Sequence, residues 1–432
     1  APHLASHLEG PSVSRAAAEI AAVSAYLELA RRSLDRARPP AMLLGGINLA
    51  RALGLGGIPV IIASSAPYTP AMSSRYVIGR CPLPPVAQRE AVVERLLRVG
   101  EELMQALGER PPLFYGDDDV LGIVQDFRTA LSARYAFLVN EPPLARALHS
   151  KALFQALGER RGLPVPQRLD WETLEAFEAP VLVKPRVKTD WAASPIHAKL
   201  FGGVGKARIF SSGRAAKQNA QVARLREALA FQEYVPGEDR ALWSFHGFAD
   251  ENGVLLASFI GRKIRTYPAL TGDSSYLELA HDDELERLGR EIVAKLRLKG
   301  PFKIDFKRHA TSGRFYLLEI NARYNLWHYL GAKNGVNLAA IAHGYLTRGA
   351  RPEPIRARTT YRWLAMDLDY RAFRASELGL LPWLRSLMAA PKVYDLLSWR
   401  DPLPALVGLR EAAPTLLPRL TRRVRRWLST AS

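Results

Sequence analysis

The chain has 432 residues, of which 48% are hydrophobic and 24% charged, a composition typical of globular proteins and a length sufficient for two or three domains. No apolar run is long enough to span a membrane and the N-terminus carries no basic and apolar leader, so we expect neither a membrane-spanning helix nor a secretion signal. The formal net charge of +18 leaves an anionic small molecule, a nucleic acid or an anionic membrane surface as candidate partners.

The basic residues are dispersed along the chain except near the C-terminus. No zinc-finger spacing, aromatic RNA-binding signature or long basic arm is present in the sequence, so we expect a nucleotide or a small acidic ligand rather than nucleic acid. The single cysteine, Cys81, rules out a disulfide within the chain and a cysteine-based zinc cluster. One cysteine also fits a reducing cytoplasm.

Residues 1–145 have the pattern of a parallel α/β domain. The predicted elements, in chain order, are a helix over 12–37, a strand over 41–46, a helix over 48–55, a strand over 58–63, a helix over 90–107, a strand over 112–115, a helix over 119–132 and a strand over 135–139. Gly45 and Gly46 precede a helix, where free backbone N–H groups could seat an anion. A tight strand-to-helix turn is the simpler interpretation, because the full dinucleotide-binding spacing is missing.

Three consecutive acids, Asp117, Asp118 and Asp119, follow the strand over 112–115. They are candidate metal ligands, but capping of the next helix is the stronger interpretation, because negative charge stabilises a helix N-terminus. Ligands of α/β sheets bind at the carboxyl ends of strands, so Asp117 or Asp118 is also a candidate for lining a substrate cleft.

Lysines recur in the next part of the chain, where Lys151 opens a helix. A short buried strand over 180–185 then carries Lys184, a side chain that is costly to bury without an anion. The irregular stretch 186–206 contains further lysines and several glycines, which suit the binding of an anion by backbone N–H groups. After it we predict a strand over 207–210, a helix over 214–229 and a strand ending in an acidic turn over 231–239.

Two further strands, over 242–248 and 254–260, are joined by an Asn-Gly turn. They lead into a basic strand end and a Gly-Ser loop, which together could grip a γ-phosphate and a carboxylate. The candidate residues are Arg262, Lys263, Arg265, Ser274 and Ser275. For any one of the basic residues, a solvated position on the strand is an equally good interpretation.

A predicted β-hairpin, which follows a helix, carries the strongest site pattern. The helix covers 282–297 and the hairpin strands cover 303–307 and 315–323. Because side chains alternate along a strand, Glu319, Asn321 and Arg323 share one face, and Asp305 faces them from the first strand. Two carboxylates and an amide oxygen are hard ligands of the kind Mg²⁺ prefers, and the arginine can bind a phosphate or acyl phosphate. The alternative is an ordinary hairpin with a salt-bridged polar face.

Aromatic and polar residues directly after the hairpin are expected to line an acceptor pocket. They are Tyr324, Asn325, Trp327 and His328. His328 is a candidate base, since its ordinary pKa lies near neutrality, but a packed core histidine is the favoured interpretation. A helix over 336–347 follows.

Residues 351–432 form a C-terminal extension with one further predicted strand over 362–369. The basic amphipathic stretch over 416–427 could make weak contact with an anionic membrane surface. A solvated terminal helix against the protein body is the favoured interpretation.

These motifs, in this order, resemble the ATP-grasp superfamily over residues 41–347. The ordered set consists of Lys151, Lys184, Glu233, Gly237, Asp305, Glu319, Asn321 and Arg323. Ala322 stands where the metal motif of the superfamily usually has proline, which removes no ligand. The resemblance implies an α/β protein with the ATP-grasp fold. Its expected parts are an N-terminal parallel α/β domain over 1–145, an ATP-grasp domain over 146–350 and the extension over 351–432. Within the ATP-grasp domain we expect a small α+β lid subdomain over about 165–234 and a larger α+β subdomain with an antiparallel sheet.

The resemblance also implies a role for each candidate residue. Nucleotide contacts are Lys151, Lys184, Gln232, Glu233, Val235 and Asp239, with adenine on 232, 233 and 235 and ribose on Asp239 or its neighbour Glu238. Metal ligands are Asp305, Glu319 and Asn321. Catalytic residues are Lys184, Arg262, Lys263 and Arg323, and substrate contacts are Arg265, Ser274, Ser275, Tyr324, Asn325, Trp327 and His328. The loop over 186–206 is expected to close over the triphosphate.

Most members of the superfamily are carboxylate–amine ligases. The resemblance therefore implies an enzyme that uses ATP and Mg²⁺ or Mn²⁺ to join a small-molecule carboxylate to an amine through an acyl phosphate, and it is compatible with a dimer. Two alternatives remain open at this point. One is a non-catalytic nucleotide-binding protein, regulatory or membrane-associated, and the other is a nucleic-acid-binding protein that uses the net charge of +18.

Overall fold

The computed structural model describes residues 34–66, 69–186, 200, 207–270 and 272–410. The helix predicted over 12–37 lies outside them except for its last residues, which belong to a turn closed by a bridge between Asp35 and Arg38 and are not helical. Most of the loop over 186–206 and all of the basic stretch over 416–427 also lie outside the described residues. Among the described helices, none is both long and apolar enough to cross a membrane.

Four parallel strands form the first sheet, in the order β3-β2-β1-β4. They are β1 (Ala41–Leu44), β2 (Val60–Ser64), β3 (Val77–Pro82) and β4 (Leu113–Tyr115). The accompanying helices are α1 (Ile47–Leu55), α2 (Arg89–Leu107), α3 (Asp118–Asp126) and α4 (Arg128–Ser132). Alternate residues of β1 belong to two different cores, as expected for a parallel strand covered on both faces.

The predicted β-α-β start and its parallel pairing are confirmed, but three details differ. Strand β3 was not predicted, because its glycine and arginine interrupt the apolar pattern. The stretch 135–139 is not a strand: only Ala136 forms a bridge, and Tyr135 is buried with its hydroxyl donating to the Leu96 carbonyl. The helix predicted over 119–132 is broken at Phe127 into α3 and α4.

Four short antiparallel strands form a second sheet, in the order β5-β8-β6-β7. They are β5 (Arg168–Leu169), β6 (Val181–Pro185), β7 (Arg208–Phe210) and β8 (Leu229–Glu233). The helices before and within this part are α5 (Pro142–His149), α6 (Lys151–Arg160), α7 (Gly213–Gln218) and α8 (Ala220–Leu225). The helix predicted over 214–229 is interrupted because the Asn219 side chain accepts a hydrogen bond from Val222 N–H and starts a new helix.

Seven of the described strands form the large sheet, in the order β13-β12-β9-β10-β11-β14-β15. They are β9 (Leu242–Ala249), β10 (Leu255–Tyr267), β11 (Asp273–Ala280), β12 (Gly300–Arg308), β13 (Phe315–Asn321), β14 (Arg362–Leu364) and β15 (Lys392–Tyr394). The helices are α9 (Asp283–Leu296), α10 (Trp327–Lys333), α11 (Leu338–Arg348), α12 (Met366–Arg374) and α13 (Leu380–Met388). One face of the sheet packs against α9, and the other packs against α10 and α1. Short 3-10 turns lie at Pro70–Ser73, Leu174–Ala176, Arg226–Ala228 and Asp239–Ala241.

The large sheet corrects the prediction for the basic strand end and the Gly-Ser loop. Strand β10 continues to Tyr267, so Arg262, Lys263 and Arg265 lie inside it, and the predicted loop residues Ser274 and Ser275 belong to β11. The two strands pair antiparallel over this stretch. Charged residues within the strand had hidden its length, because their partners lie on the neighbouring strand and not nearby in sequence.

The C-terminal part of the chain is built into the large sheet. The strand predicted over 362–369 is shorter: β14 ends at Leu364 and α12 follows. Strand β14 pairs antiparallel with β11, and β15 pairs parallel with β14. Residues after 350 therefore complete a sheet that begins more than a hundred residues before them.

A buried ion pair ties the C-terminal part to the first sheet. Arg51 in α1 is fully buried, and its Nε lies 3.0 Å from Asp401 Oδ2. Its remaining N–H groups donate to the carbonyls of Asp395 at 2.9 Å and Leu396 at 2.6 Å. The Ser74 hydroxyl donates to the same Asp401 carboxylate at 2.8 Å. The guanidinium is thus paired on all sides, which a buried charge requires.

Candidate active site

The hairpin β12–β13 brings the three predicted metal ligands together. Asp305 pairs with Glu319 across the strands, and Asn321 Nδ2 lies 3.2 Å from Asp305 Oδ2 and 3.1 Å from Glu319 Oε1. Lys303, which is cross-strand from Asn321, places its Nζ 2.8 Å from Asp305 Oδ2. Burial raises the pKa of the Asp305 carboxyl, and the Lys303 ammonium opposes this shift.

These residues fit a magnesium ion. The Asn321 amide lies within hydrogen-bond distance of both the Asp305 and the Glu319 carboxylates, and rotation of this amide turns its oxygen towards them. The Lys303 ammonium beside Asp305 shows that this point accommodates positive charge. In the described part of the chain no three His, Cys, Asp or Glu side chains group closely enough to hold a metal. With two carboxylates and an amide, the set suits an ion that keeps waters and phosphate oxygens as further ligands.

Lys184 of the second sheet and Lys151, which begins α6, lie close to each other. Lys184 Nζ donates to Gln232 Oε1 at 2.6 Å, and Lys151 Nζ donates to the Pro185 carbonyl at 3.3 Å. Burial and the nearby Lys151 lower the pKa of Lys184 to about 8, while Glu319 acts in the opposite direction. The electrostatic effect of Glu319 on Lys184 shows that this lysine lies near the hairpin. Two neighbouring ammonium groups, one of them buried, favour an anionic ligand.

Arg323 lies where the hairpin meets the carboxyl end of β4. Its Nε lies 2.6 Å from Asp118 Oδ1 and its Nη2 lies 3.3 Å from Asp118 Oδ2. Burial lowers the pKa of Arg323, but the Asp118 carboxylate and the nearby Glu319 more than compensate, so the pKa lies above its usual value. Asp117 caps α3 by accepting from Val120 N–H at 2.8 Å, which confirms the capping prediction for that residue. Asp118 is the acid that reaches the cleft.

Consecutive residues of β10 face opposite sides of the large sheet, and this separates Arg262 from Lys263. Arg262 is cross-strand from Trp243 and Glu278, and it donates to Glu278 Oε1 from Nε at 3.0 Å and from Nη2 at 2.5 Å. This face packs against α9. Lys263 is close enough to Asp305 to lower the pKa of that carboxyl. The structure therefore brings Lys263 to the hairpin, whereas Arg262 does not reach it.

Arg265 and Ser275, predicted as substrate contacts, hold the C-terminal helices. Arg265 Nε and Nη2 each lie 2.8 Å from a carboxylate oxygen of Asp369. The Ser275 hydroxyl donates to Asp369 at 3.1 Å and Trp383 Nε1 donates to it at 2.9 Å. Ser274 lies in the β10–β11 ladder beside them. The structure gives these three residues positions in the framework and not beside the hairpin.

The predicted adenine contacts lie at the end of β8 and in the residues that follow. Gln232 is buried and accepts the hydrogen bond from Lys184. Glu233 is half-buried, and Val235 is buried. The Lys184 contact brings Gln232 next to the pair formed by Lys184 and Lys151.

Asp239 is already engaged as an acceptor. Its carboxylate accepts from Thr266 N–H at 2.6 Å, from the Thr266 hydroxyl at 2.8 Å and from Leu270 N–H at 2.7 Å. These bonds hold the end of β10 and the residues that follow it. Nearby, Lys307 Nζ lies 3.1 Å from the Tyr234 hydroxyl and 4.3 Å from the centre of its ring. Burial lowers the pKa of Lys307 to about 8, and Asp239 opposes that shift.

Tyr324, Trp327 and His328 are buried in the core between the first and the large sheet, with at most 2% of each residue exposed. Trp327 packs on Gly261, where a Cβ would lie 2.1 Å from the indole ring. His328 Nδ1 lies 3.0 Å from the Asn325 carbonyl, and burial lowers its pKa to about 4. The imidazole is therefore neutral at neutral pH, which supports the interpretation as a core histidine.

A group of buried polar atoms lies on the same side of the large sheet as the hairpin ligands. Those without a hydrogen-bond partner among the described residues are Ser244 Oγ, both ring nitrogens of His246, Asn325 Nδ2 and His328 Nε2. Ser244 and His246 are cross-strand from Asp305 and Lys303. Each unpaired buried polar group is unfavourable by about 1–3 kcal/mol, so we expect ordered water between them.

Sequence reasoning missed two lysines of the site and assigned no contact to Asp118. Lys303 contacts Asp305 and Lys307 contacts Tyr234. The signal was present in the sequence, because residues 303, 305 and 307 alternate along one strand and share a face. Only Asp305 had been used from the first hairpin strand, and the lysines on either side of it had not been considered.

Solved structures with the ATP-grasp fold match the chain. The biotin carboxylase–β,γ-ATP complex of Campylobacter jejuni is 11% identical, covers 75% of this chain and 74% of its own, and has a TM-score of 0.54. The biotin carboxylase domain dimer of the Hydrogenobacter thermophilus 2-oxoglutarate carboxylase is 14% identical, with coverages of 75% and 73% and a TM-score of 0.53. The N5-carboxyaminoimidazole synthetase of Staphylococcus aureus is 12% identical, with coverages of 73% and 79% and a TM-score of 0.52.

The chain therefore has the ATP-grasp fold, and the predicted fold class is confirmed. No protein-family model matches it, and no curated protein matches it in sequence. At identities of 11–14% the likeness concerns the fold alone, so the activity has to be argued from the residues of the cleft.

Proposed function

We propose that this protein is an ATP-dependent ligase that joins a carboxylate to an amine through an acyl phosphate and releases ADP and phosphate. One observation carries the proposal. Buried Lys184 of the second sheet lies near both Lys151 of α6 and Glu319 of the hairpin, whose acid and amide side chains form the metal-ligand set. The neighbour from Hydrogenobacter thermophilus, which holds MgADP, ADP and bicarbonate, supports a nucleotide as the ligand of this cleft.

In this proposal, Lys151 and Lys184 neutralise the phosphates of ATP, and Arg323, oriented by Asp118, holds the transferring phosphoryl group. Asp305, Glu319 and Asn321 would hold Mg²⁺ or Mn²⁺. The ion, when bound, neutralises phosphate charge. The adenine contacts are Gln232, Glu233 and Val235. Glu238 is the preferred ribose contact, because the Asp239 carboxylate already accepts three hydrogen bonds.

The reaction has two displacement steps. A carboxylate oxygen attacks the γ-phosphorus and ADP leaves; the amine then attacks the acyl carbon and phosphate leaves. Lys263 is the cation assigned to the carboxylate, and Arg262 is not, because it pairs with Glu278 on the other face of the sheet. Arg265, Ser274 and Ser275 have no role in the proposal. The residues directly after the hairpin would support the site by packing beneath it in the core. They are Tyr324, Asn325, Trp327 and His328.

A screen of carboxylate and amine pairs for release of ADP and phosphate, with mass analysis of products, tests the activity. With a competent carboxylate and no amine, hydroxylamine should trap a hydroxamate. Glu319→Gln should abolish it by removing a hard ligand, and Arg323→Ala should lose it while still binding ATP. Glu284→Gln, at an exposed position on α9, is the matched control. ATP binding without ADP release from any pair would favour a regulatory nucleotide-binding protein instead.

A further inference from the structure

Helix α13 presents an apolar face to solvent. The outward positions, with exposures of 57%, 67%, 39% and 77%, are Leu380, Leu381, Leu384 and Met388. These positions repeat at helical spacing and so share one side of the helix. On the other side Trp383 is buried and stacks on Phe373 with ring centroids 4.6 Å apart. The helix is therefore fixed to the protein by one side only.

Exposed apolar side chains continue along the next two stretches of chain. After β15 the most exposed is Trp399, at 90%. In the helical residues 403–410 the exposed ones are Leu403 at 54%, Leu406 at 59% and Leu409 at 62%. The two stretches adjoin, because a Cβ on Gly408 would lie 3.0 Å from Leu396 Cδ1. A protein that works alone in water rarely exposes so many large apolar side chains in one region.

The exposed charges of the same region are basic. Arg385, Arg400 and Arg410 are exposed. The two acids, Asp395 and Asp401, are turned inward and bind side chains of α1 at 2.6 Å and 3.0 Å. The outer surface of residues 380–410, called the docking surface from here on, is thus both apolar and positively charged.

We propose that the docking surface binds an anionic lipid bilayer. The chain continues with residues 411–432, which contain five arginines and one glutamate and have apolar residues at 416, 417, 420, 424, 427 and 428. That spacing predicts an amphipathic helix with a basic side. Folding of this segment onto the docking surface, or pairing of two copies, would bring like charges together. An anionic bilayer complements both parts, because headgroups pair with arginine and acyl chains accept leucine, methionine and tryptophan.

Sedimentation of the full chain with lipid vesicles tests the proposal. The protein should sediment with vesicles of phosphatidylcholine containing a quarter phosphatidylglycerol and should remain free with phosphatidylcholine alone. Binding should weaken as salt is raised, because the headgroup contacts are screened. Absence of binding to the anionic vesicles at low salt would overturn the proposal.

The double variant Leu381→Gln, Met388→Gln tests the apolar part and should bind the anionic vesicles at least about tenfold more weakly. Val254→Gln is the matched control: Val254 is 52% exposed in the turn between β9 and β10, and its loss should leave binding unchanged. All three substituted residues are exposed. An unchanged thermal unfolding temperature of each variant checks that folding is preserved. Equal binding by the double variant would mean that charge alone acts, which contradicts the proposal.

An environment-sensitive dye attached to the Met388→Cys variant distinguishes the bilayer from two other possible occupants of the docking surface, the segment 411–432 and a second copy of the chain. Cys81 is buried and burial raises its pKa to about 11, so the dye attaches selectively at 388. We expect a solvent-exposed spectrum for the free protein and a blue shift with anionic vesicles. A blue-shifted dye without vesicles that becomes exposed on deletion of 411–432 would identify that segment as the occupant. A concentration-dependent blue shift with doubled mass would identify a second copy. Either result overturns the proposal.

Discussion

Lys184 is a buried lysine whose protonation depends on its surroundings in the folded protein. Burial and the neighbouring Lys151 lower its pKa from 10.5 to about 8. Below pH 8 the ammonium is protonated in folded and unfolded chains alike, and between about 8 and 10.5 only the unfolded chain keeps the proton. The unfolded state then binds more protons, so this residue makes the folded state more stable as pH rises through that window.

Nucleotide binding should have the opposite dependence on pH. Because the charged ammonium binds phosphate, the affinity of the wild-type protein for ADP should fall as pH rises above about 8. In Lys184→Arg the guanidinium stays charged, so the affinity should remain nearly constant from pH 7 to pH 10. Equilibrium titration at constant ionic strength measures both. Parallel pH profiles for the two proteins would show that Lys184 does not contact the phosphates.

The two neighbours Arg262 and Lys263 give a second prediction at this scale. Lys263→Met should reduce the rate of ligation with little effect on folding, because Lys263 lies near Asp305. Arg262→Met should reduce thermal stability and leave the rate constant of the folded enzyme nearly unchanged, because it removes one of the two arginine partners of the buried Glu278 and leaves only Arg362. Steady-state kinetics and thermal unfolding of both variants measure the difference. A similar loss of rate in both would contradict the assignment of faces.

At the residue scale, the alternation of side chains along a strand was enough to predict that Asp305, Glu319 and Asn321 lie together. It was not enough to choose between Arg262 and Lys263, because the two sides of a strand can be told apart only when its position in the sheet is known. The same limit applies to Asp239. Its type suits a ribose contact, but its hydrogen bonds to Thr266 and Leu270 come from residues distant in sequence.

At the element scale, Asp369 connects α12 to the large sheet and to α13. It is fully buried and accepts hydrogen bonds from Arg265, Ser275 and Trp383. Asp369→Asn should lower the free energy of unfolding by about 3–5 kcal/mol, because it leaves the Arg265 charge without its partner. Asp367→Asn, at an exposed position of the same helix, should change it by less than about 0.5 kcal/mol.

Urea unfolding of both variants measures these changes. Equal stability of Asp369→Asn and Asp367→Asn would mean that the C-terminal helices do not contribute to cooperative folding of the large sheet. Strand β11 explains why the sequence did not predict this connection. It begins with Asp273 and Ser274 after a glycine, which indicates a turn, and only its pairing with β10 makes these residues part of a strand.

At the scale of the whole molecule, residues after 350 complete the large sheet and also bind α1, which packs on the first sheet. A chain of residues 1–350 lacks β14 and β15 and leaves Arg51 buried without Asp401. We expect it to be insoluble or to lack a cooperative thermal transition. A chain of residues 1–410 keeps all these contacts and should unfold cooperatively. Calorimetry of the two fragments checks this, and cooperative unfolding of 1–350 at the temperature of the longer fragment would contradict it.

The sequence predicted most of the strands along the chain and the ATP-grasp class, because local periodicity and motif order carry that information. It did not predict that the C-terminal extension joins both the first and the large sheet. The Arg51–Asp401 pair spans 350 residues, and no local pattern marks an arginine in α1 as the partner of an aspartate so far away.

The separation of Arg51 and Asp401 in sequence also affects folding during translation. The ribosome adds roughly 5–20 residues per second, so the 350 residues between them take roughly 20–70 seconds to synthesise. Throughout that time the guanidinium of α1 has no carboxylate and stays hydrated, and the face of the first sheet around it cannot close. The domain that contains Arg51 therefore reaches its final packing only after Asp401 has been made, and until then it depends on chaperones or on its own solubility.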